Sequence, residues 1–120
     1  MMKKLTNLIM SCAVALTVIP GSAMAAKFVV GYTNLADTDV CTMSRKTAFI
    51  EAAKGDPNID IRFTDANGDI SKQLDQIDNY IAQKVNAIIV VPVDYQGIVP
   101  GVEKANKAGI PVIALGIESA

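Results

Sequence analysis

Side chains that accept hydrogen bonds collect in two short stretches of the sequence. Carboxylate and amide oxygens accept hydrogen bonds from hydroxyl groups, so a wall of such side chains suits a neutral sugar or another polyol. The same wall also suits an amine, which donates hydrogen bonds. The candidate ligand-binding residues are Asn34, Asp37, Thr38 and Asp39 in the first stretch, and Asp94, Tyr95 and Gln96 in the second.

The carboxylates in these stretches also have a structural interpretation. Asp37 and Asp39 have the character of ordinary solvated loop residues. Asp94 stands shortly before a predicted helix, where an aspartate often accepts otherwise unpaired backbone N–H groups. On the sequence alone, the structural and the ligand-binding interpretations both stay open.

The sequence carries no motif for catalysis or for a cofactor. It contains no histidine, so a Cys–His nucleophile is excluded, and Cys41 is interpreted as a small packing residue. The segment 31–36 holds one glycine where a dinucleotide-binding loop needs three, and no phosphate-binding P-loop is present. The four cysteine or histidine ligands of a structural zinc site are also lacking. We therefore predict a protein that is not an enzyme and has no cofactor or metal site.

Residues 1–25 have the order of a secretory signal peptide. Two lysines near the start are followed by an apolar run over 8–19 and by the small-residue pattern Ala23-Met24-Ala25. The apolar run is shorter than the ~20 residues that span a bilayer. We therefore predict cleavage after residue 25, export to the periplasm and no stable membrane anchor.

The charge of the remaining chain argues against a nucleic-acid partner. Residues 26–120 hold nine basic and twelve acidic side chains, a net charge of −3, and they form no basic patch. Cys41 is the one cysteine left after cleavage, so no intramolecular disulfide is possible.

Short apolar runs alternate with amphipathic segments along this chain. Runs rich in β-forming residues predict strands, and apolar residues spaced by three and four predict the buried face of a helix. Asp69 occupies the position of a helix N-cap. The predicted strands cover 28–32, 59–63, 87–91 and 110–115, and the predicted helices cover 43–54, 70–85 and 97–107.

This alternation predicts an α/β fold with a doubly wound parallel sheet. We expect the strand order 2-1-3-4, which reverses between the first and third strands. In open α/β sheets, ligands bind outside the carboxyl ends of the strands at such a reversal. The loops 33–40 and 92–97 follow these two strands, and residues 116–118 should lie beside them. The sequence therefore predicts a ligand site at this end of the sheet, which we call the carboxyl edge.

Several segments together carry a family resemblance that extends from about residue 27 to residue 115. They include Asp65-Ala66-Asn67-Gly68-Asp69, Pro92-Val93-Asp94 and the run 105–112. With them, the chain resembles the periplasmic sugar-binding proteins of the ribose and galactose type, which are solute receptors of ABC importers. The resemblance implies a sugar or related polyol as ligand, a membrane permease as partner, and a cleft between two lobes as the binding site. Residues 26–120 would then form part of the amino-terminal lobe, as a fragment or the product of a truncated gene.

The ligand residues of that family match this chain only in part. Ribose-type members carry stacking aromatic rings in the first loop, where this chain has Asp39 and Val40; Asp37 matches a polar ligand contact. Many members have an Asp-Arg pair after the fourth strand, where this chain has Gly116 and Ile117, so Glu118 is the candidate for the lost acceptor. The resemblance thus implies the class of receptor and leaves the sugar open.

Three other classes of function share features with this sequence. The effector domain of a sugar-responsive transcription regulator shares the fold, but it should carry a DNA-binding helix-turn-helix and no signal peptide. An enzyme on a doubly wound sheet would need a nucleophile, a base or a cofactor loop. A receptor for an amine or a signalling molecule remains an alternative, which ligand screening would separate from a sugar receptor.

Overall fold

The computed structural model describes residues 26–116, so the predicted signal peptide and Glu118 lie outside the described residues. No helix within this part of the chain has the length and apolar character needed to cross a membrane. Four strands and three helices alternate along it: β1 (Phe28–Asn34), α1 (Val40–Lys54), β2 (Ile59–Asp65), α2 (Ile70–Ala82), β3 (Ala87–Val90), α3 (Val99–Lys107) and β4 (Val112–Ala114).

The four strands are parallel and lie in the order β2, β1, β3, β4, which confirms the predicted topology. At the carboxyl edge, Asn34 of β1 lies beside Asp65 of β2. Thr33 lies beside Val90 of β3, which in turn lies beside Ala114 of β4. The ends of all four strands therefore meet along one edge, and the loops that follow β1 and β3 start next to each other.

Helices α2 and α3 cover one face of the sheet. The predicted apolar face of α2 is confirmed, because Ile77 is fully buried and Leu74 packs against the same core. A Cβ atom on Gly101 of α3 would lie 2.9 Å from Leu74 Cδ2, so the missing side chain lets the two helices approach closely. Val85 is buried in this core as well, although α2 ends at Ala82, three residues before the predicted end.

Helix α1 covers part of the opposite face. Tyr32 of β1 is fully buried there, and its ring centroid lies 5.4 Å from that of Phe49 and 5.1 Å from that of Phe63. Near the edge strand β4 this face of the sheet is less covered, and Ile113 of β4 is 52% exposed. Cys41 is exposed on α1, so its interpretation as a packing residue is wrong.

The side chain of Tyr80, on α2, contacts the backbone of both β1 and β2. Its hydroxyl oxygen lies 2.8 Å from the carbonyl oxygen of Arg62 and 3.1 Å from that of Tyr32. Burial raises the pKa of this phenol, although its hydrogen bond with Thr64 acts in the opposite direction. The ring lies directly on Gly31, where a Cβ atom would come within 2.5 Å of it. Glycine is therefore required at this position of β1.

Several element boundaries differ from the prediction, and three of these differences have a local cause. Helix α1 begins at Val40, three residues earlier than expected, because the Asp39 carboxylate caps it. Helix α3 begins at Val99, two residues later than expected, because a turn over 95–98 precedes it. Strand β4 covers only Val112–Ala114, because Pro111 has no backbone N–H for the sheet.

Candidate functional site

Asp37 follows β1 at the carboxyl edge and forms an ion pair with Lys46 of α1. The Lys46 Nζ donates to Asp37 Oδ2 at 2.5 Å, and Asn34 Nδ2 donates to Asp37 Oδ1 at 2.6 Å. Burial alone would favour the neutral acid, but the hydrogen bonds from Lys46 and Asn34 and the charge of Lys46 lower the pKa of Asp37. The side chain is still 31% exposed. Asp37 is therefore an ionised, oriented acceptor that solvent can reach, rather than a simply solvated loop residue.

Asn34 is fully buried at the end of β1, although it was predicted to contact the ligand. Its Nδ2 donates to Asp37 and also to the carbonyl oxygen of Ala36 at 3.1 Å. Its Oδ1 has no hydrogen-bond partner among residues 26–116. In this structure Asn34 contributes to the site through Asp37, which it holds against the loop, and its own side chain does not reach the surface.

Asp39 and Thr38 occupy a different part of the same loop. The Asp39 carboxylate accepts the backbone N–H groups of Cys41 at 3.4 Å and Thr42 at 3.2 Å, which makes it the N-cap of α1. Thr38 is exposed and borders a shallow surface depression beside the first turns of α1, together with Met43. Asp37 and Asp39, although two residues apart, therefore have different hydrogen-bond partners.

The loop after β3 brings Asp94 and Tyr95 to the same edge. The Asp94 carboxylate accepts the backbone N–H of Gly97, and its backbone carbonyl accepts that of Ile98 at 3.1 Å. Asp94 thus closes a turn that precedes α3, whose own N-cap residue, Ile98, makes no side-chain capping bond. The interpretation of Asp94 as the cap of this helix is therefore wrong. Tyr95 is exposed at the tip of this turn.

Gln73 of α2 holds the ends of β1 and β3, a role that the sequence analysis missed. It is fully buried, and its Nε2 donates to the carbonyl oxygen of Val91 at 2.9 Å and to Thr33 Oγ1 at 3.3 Å. Its Oε1 accepts the backbone N–H of Val93 at 2.9 Å. The signal in the sequence is a glutamine on the otherwise apolar face of α2.

Gln76, one turn further along α2, extends these contacts to β2. Its Oε1 accepts the hydroxyl of Thr33 at 2.7 Å, and its Nε2 donates to the carbonyl oxygen of Asp65 at 2.8 Å. The two glutamines therefore tie the carboxyl ends of three neighbouring strands to a single helix. We call Thr33, Gln73 and Gln76 the glutamine frame.

The carboxylates of the site already have donors within the protein. Asp37 is paired with Lys46, Asp39 with the first turn of α1, and Asp94 with its own turn. Within the described part of the chain, no three acidic or cysteine side chains are grouped so that they could hold a metal ion. The arrangement offers oriented acceptors, and a neighbouring lysine balances the charge of the partly exposed Asp37.

The family model of the periplasmic binding protein domain matches residues 33–118. The xylitol-binding protein of Mycolicibacterium smegmatis is 45% identical to the chain over 58 residues, which are 48% of this chain and 17% of that protein. The chain thus spans about a sixth of that curated relative.

Two solved structures have the same fold as the described residues. An ABC transporter solute-binding protein from Bacillus halodurans with bound myo-inositol has a TM-score of 0.71 and 35% identity, over 74% of this chain and 31% of that one. An ABC transporter periplasmic solute-binding protein from Actinobacillus succinogenes with bound D-allose has a TM-score of 0.70 and 31% identity, over 76% of this chain and 32% of that one. The chain thus spans about a third of each.

Proposed function

The chain belongs to the periplasmic binding protein domain family, and from this premise we propose that it is part of an extracytoplasmic solute receptor for a neutral sugar or polyol. Residues 26–120 would contribute part of one lobe, and the carboxyl edge would form one wall of the ligand cleft. The ligand would then be delivered to the membrane permease of an ABC importer, with residues 1–25 directing export to the periplasm.

The pairing of Asp37 with Lys46 is the observation that carries this proposal. Asp37 is exposed enough to accept a hydrogen bond from a ligand, while the lysine at 2.5 Å balances its charge. A hydroxyl group needs an acceptor of this kind and no net charge. An amine would gain less, because the Lys46 ammonium lies beside the same carboxylate and repels a second cation.

The relatives support the same ligand class. Xylitol, myo-inositol and D-allose, which appear in their names, are neutral compounds that carry several hydroxyl groups. The relatives are named as binding proteins, and we assign no catalytic step to this chain. Its role is to hold a ligand by hydrogen bonds and to release it unchanged.

Calorimetric titration of the polypeptide, in the length that its gene encodes, tests the ligand class. The polyol panel consists of xylitol, myo-inositol and D-allose, and putrescine serves as the amine probe. We expect at least one polyol to bind and putrescine not to bind. Binding of putrescine alone would favour the amine receptor, and no binding in either set would contradict the proposal.

The role of Asp37 is tested with the same titration. Asp37→Asn keeps an acceptor oxygen but removes the charge, so it should weaken polyol binding by about five- to tenfold, because a charge-assisted hydrogen bond becomes a neutral one. Asp60→Asn is the matched control: Asp60 pairs with Arg62 in the amino half of β2, away from the carboxyl edge. The affinity of the Asp60→Asn variant for the polyol should equal that of the unchanged protein. Equal affinities for both variants would remove Asp37 from the site.

A further inference from the structure

Lys46 projects from the second turn of α1 towards the acceptor that follows β1. Its Nζ lies 2.5 Å from Asp37 Oδ2, and its side chain is 18% exposed. The same Nζ lies 5.7 Å from the centroid of the Phe63 ring, close enough for a cation–π attraction. Two contacts of different kinds therefore hold the ammonium in place, one with an anion and one with the face of an aromatic ring.

Lys46 alone among the neighbouring cations balances the charge of Asp37. Within residues 26–116, Lys46 forms no ion pair with another carboxylate, and Arg45, which precedes it on the helix, forms none at all. Burial would raise the pKa of Asp37, and Lys46 is the charged side chain that lowers it, together with the hydrogen bond from Asn34. The charge of this acceptor therefore depends on a single side chain.

The position of this ammonium discriminates between ligands by charge. A ligand ammonium that approached Asp37 would come within a few ångströms of Lys46, and the repulsion between two such cations at a partly exposed site corresponds to roughly ten- to hundredfold in affinity. Displacing Lys46 from the carboxylate is also unfavourable, because an intramolecular partner acts at a high effective concentration. A hydroxyl group carries no charge and meets neither obstacle.

We infer that Lys46 sets the charge selectivity of the site, so that neutral polyols are accepted and polyols with an amino group beside Asp37 are excluded. This inference rests on the proposed function, because it assumes that the ligand reaches Asp37. The determinant lies on α1, outside the two loops that supply the acceptors. A neutral side chain at position 46 would leave Asp37 as an unbalanced carboxylate and shift the selectivity towards amines.

Calorimetric titration compares the panel polyol that binds with its monoamino analogues, in each of which an ammonium group replaces one hydroxyl. In the unchanged protein, the analogue whose ammonium falls beside Asp37 should bind about tenfold or more weakly than the parent polyol. In Lys46→Met, the ratio of the two affinities should shift by roughly ten- to hundredfold towards that analogue. Lys46→Gln, which keeps a donor without the charge, should shift the ratio in the same direction, and Lys46→Arg should leave it unchanged.

Arg45→Met is the matched control for the net charge of the protein. It removes one positive charge from the adjacent position of the same helix, where no ion pair is formed within the described part of the chain. The affinity ratio between parent and analogues should stay within about twofold of that of the unchanged protein, because the Lys46 ammonium remains beside Asp37. Equal shifts in Arg45→Met and Lys46→Met would assign the selectivity to the general positive field of α1 and overturn the inference.

Failure of the inference differs from failure of the proposed function. If Lys46→Met or Lys46→Gln binds the parent polyol with an unchanged preference over every analogue, the inference is overturned and the proposed function stands. An unchanged protein that binds no polyol of the panel overturns both. Circular dichroism verifies the fold of each variant. Should the position 46 variants not fold, the unchanged protein still decides, because equal affinity for the parent and for all of its amino analogues would refute the inference.

Discussion

Asp37→Asn should destabilise the fold as well as weaken binding. The carboxylate receives hydrogen bonds from Lys46 at 2.5 Å and from Asn34 at 2.6 Å. Asparagine has nearly the same shape, but it leaves the Lys46 ammonium, whose side chain is 18% exposed, without its counter-charge. A hydrogen bond to a charged group contributes roughly 1.5–3 kcal/mol, and exposure reduces the contribution of an ion pair. We expect the free energy of unfolding to fall by about 1–2 kcal/mol at pH 7.

The pH dependence of this loss has a definite sign. The pKa of Asp37 in the folded protein is below its ordinary value of 3.8, so the folded state favours the ionised form. The stabilisation is therefore complete above the ordinary pKa and disappears as the pH falls through the lower, folded pKa. The difference in stability between the unchanged protein and Asp37→Asn should shrink as the pH is lowered below 3.8.

Urea unfolding followed by circular dichroism, at pH 7 and at about pH 3, measures this difference. Asp60→Asn is again the control: its pair with Arg62 spans 3.3 Å and both side chains are more than 40% exposed, so the change should cost less than about 0.5 kcal/mol. Equal stability of Asp37→Asn and the unchanged protein at pH 7 would contradict this prediction. An equal loss of stability at both pH values would contradict it as well.

The remaining predictions concern the scaffold and the amino terminus. Gly31→Ala should destabilise the protein by about 2 kcal/mol or more, measured by urea unfolding, because its methyl group would overlap the Tyr80 ring; Gly55→Ala, which meets only a backbone oxygen at 3.5 Å, is the control. Gln73→Leu should cost roughly 2–4 kcal/mol in the same assay, because the Val91 carbonyl and the Val93 N–H lose their hydrogen bonds to the Gln73 amide; an unchanged midpoint would contradict the role of the glutamine frame. Asp39→Ala should lower stability by about 1 kcal/mol through loss of the α1 cap, while Asp39→Ser should restore most of it. Mass spectrometry of the exported protein should show a terminus that begins at Ala26; an intact Met1 would contradict cleavage.

The topology was predictable because it depends on apolar patterns and on the order of strands and helices, which can be read from the local sequence. Continuous apolar runs marked the buried strands, and the three- and four-residue spacing from Ile70 to Ile81 marked the buried face of α2. Alternation of strands and helices then left few possible sheet orders, and the observed order confirms the choice. The ends of elements were less predictable, because they depend on single hydrogen bonds such as the cap of Asp39.

The partners of the site residues were not predictable from local sequence. Lys46 is nine residues from Asp37, and their pairing requires the actual angle between the first loop and α1. Gln73 bonds to residues 18 and 40 positions away, which no local pattern encodes. Asp94 was expected to cap α3, but its side chain closes the turn that precedes this helix. The sequence indicated which residue types gather at the carboxyl edge, while three-dimensional packing decides which of them remain accessible.

The glutamine frame has a consequence for the thermodynamics of binding. The loops after β1 and β3 leave the sheet from points that Gln73 and Gln76 hold in place, so their first residues are ordered before any ligand arrives. Ordering a flexible side chain on association costs roughly 0.5–1.5 kcal/mol, and a frame formed during folding removes that cost for the residues it holds. If the proposed ligand binds at this edge, its site is preorganised, and the loss of conformational entropy belongs to the folding of the lobe and not to the binding step.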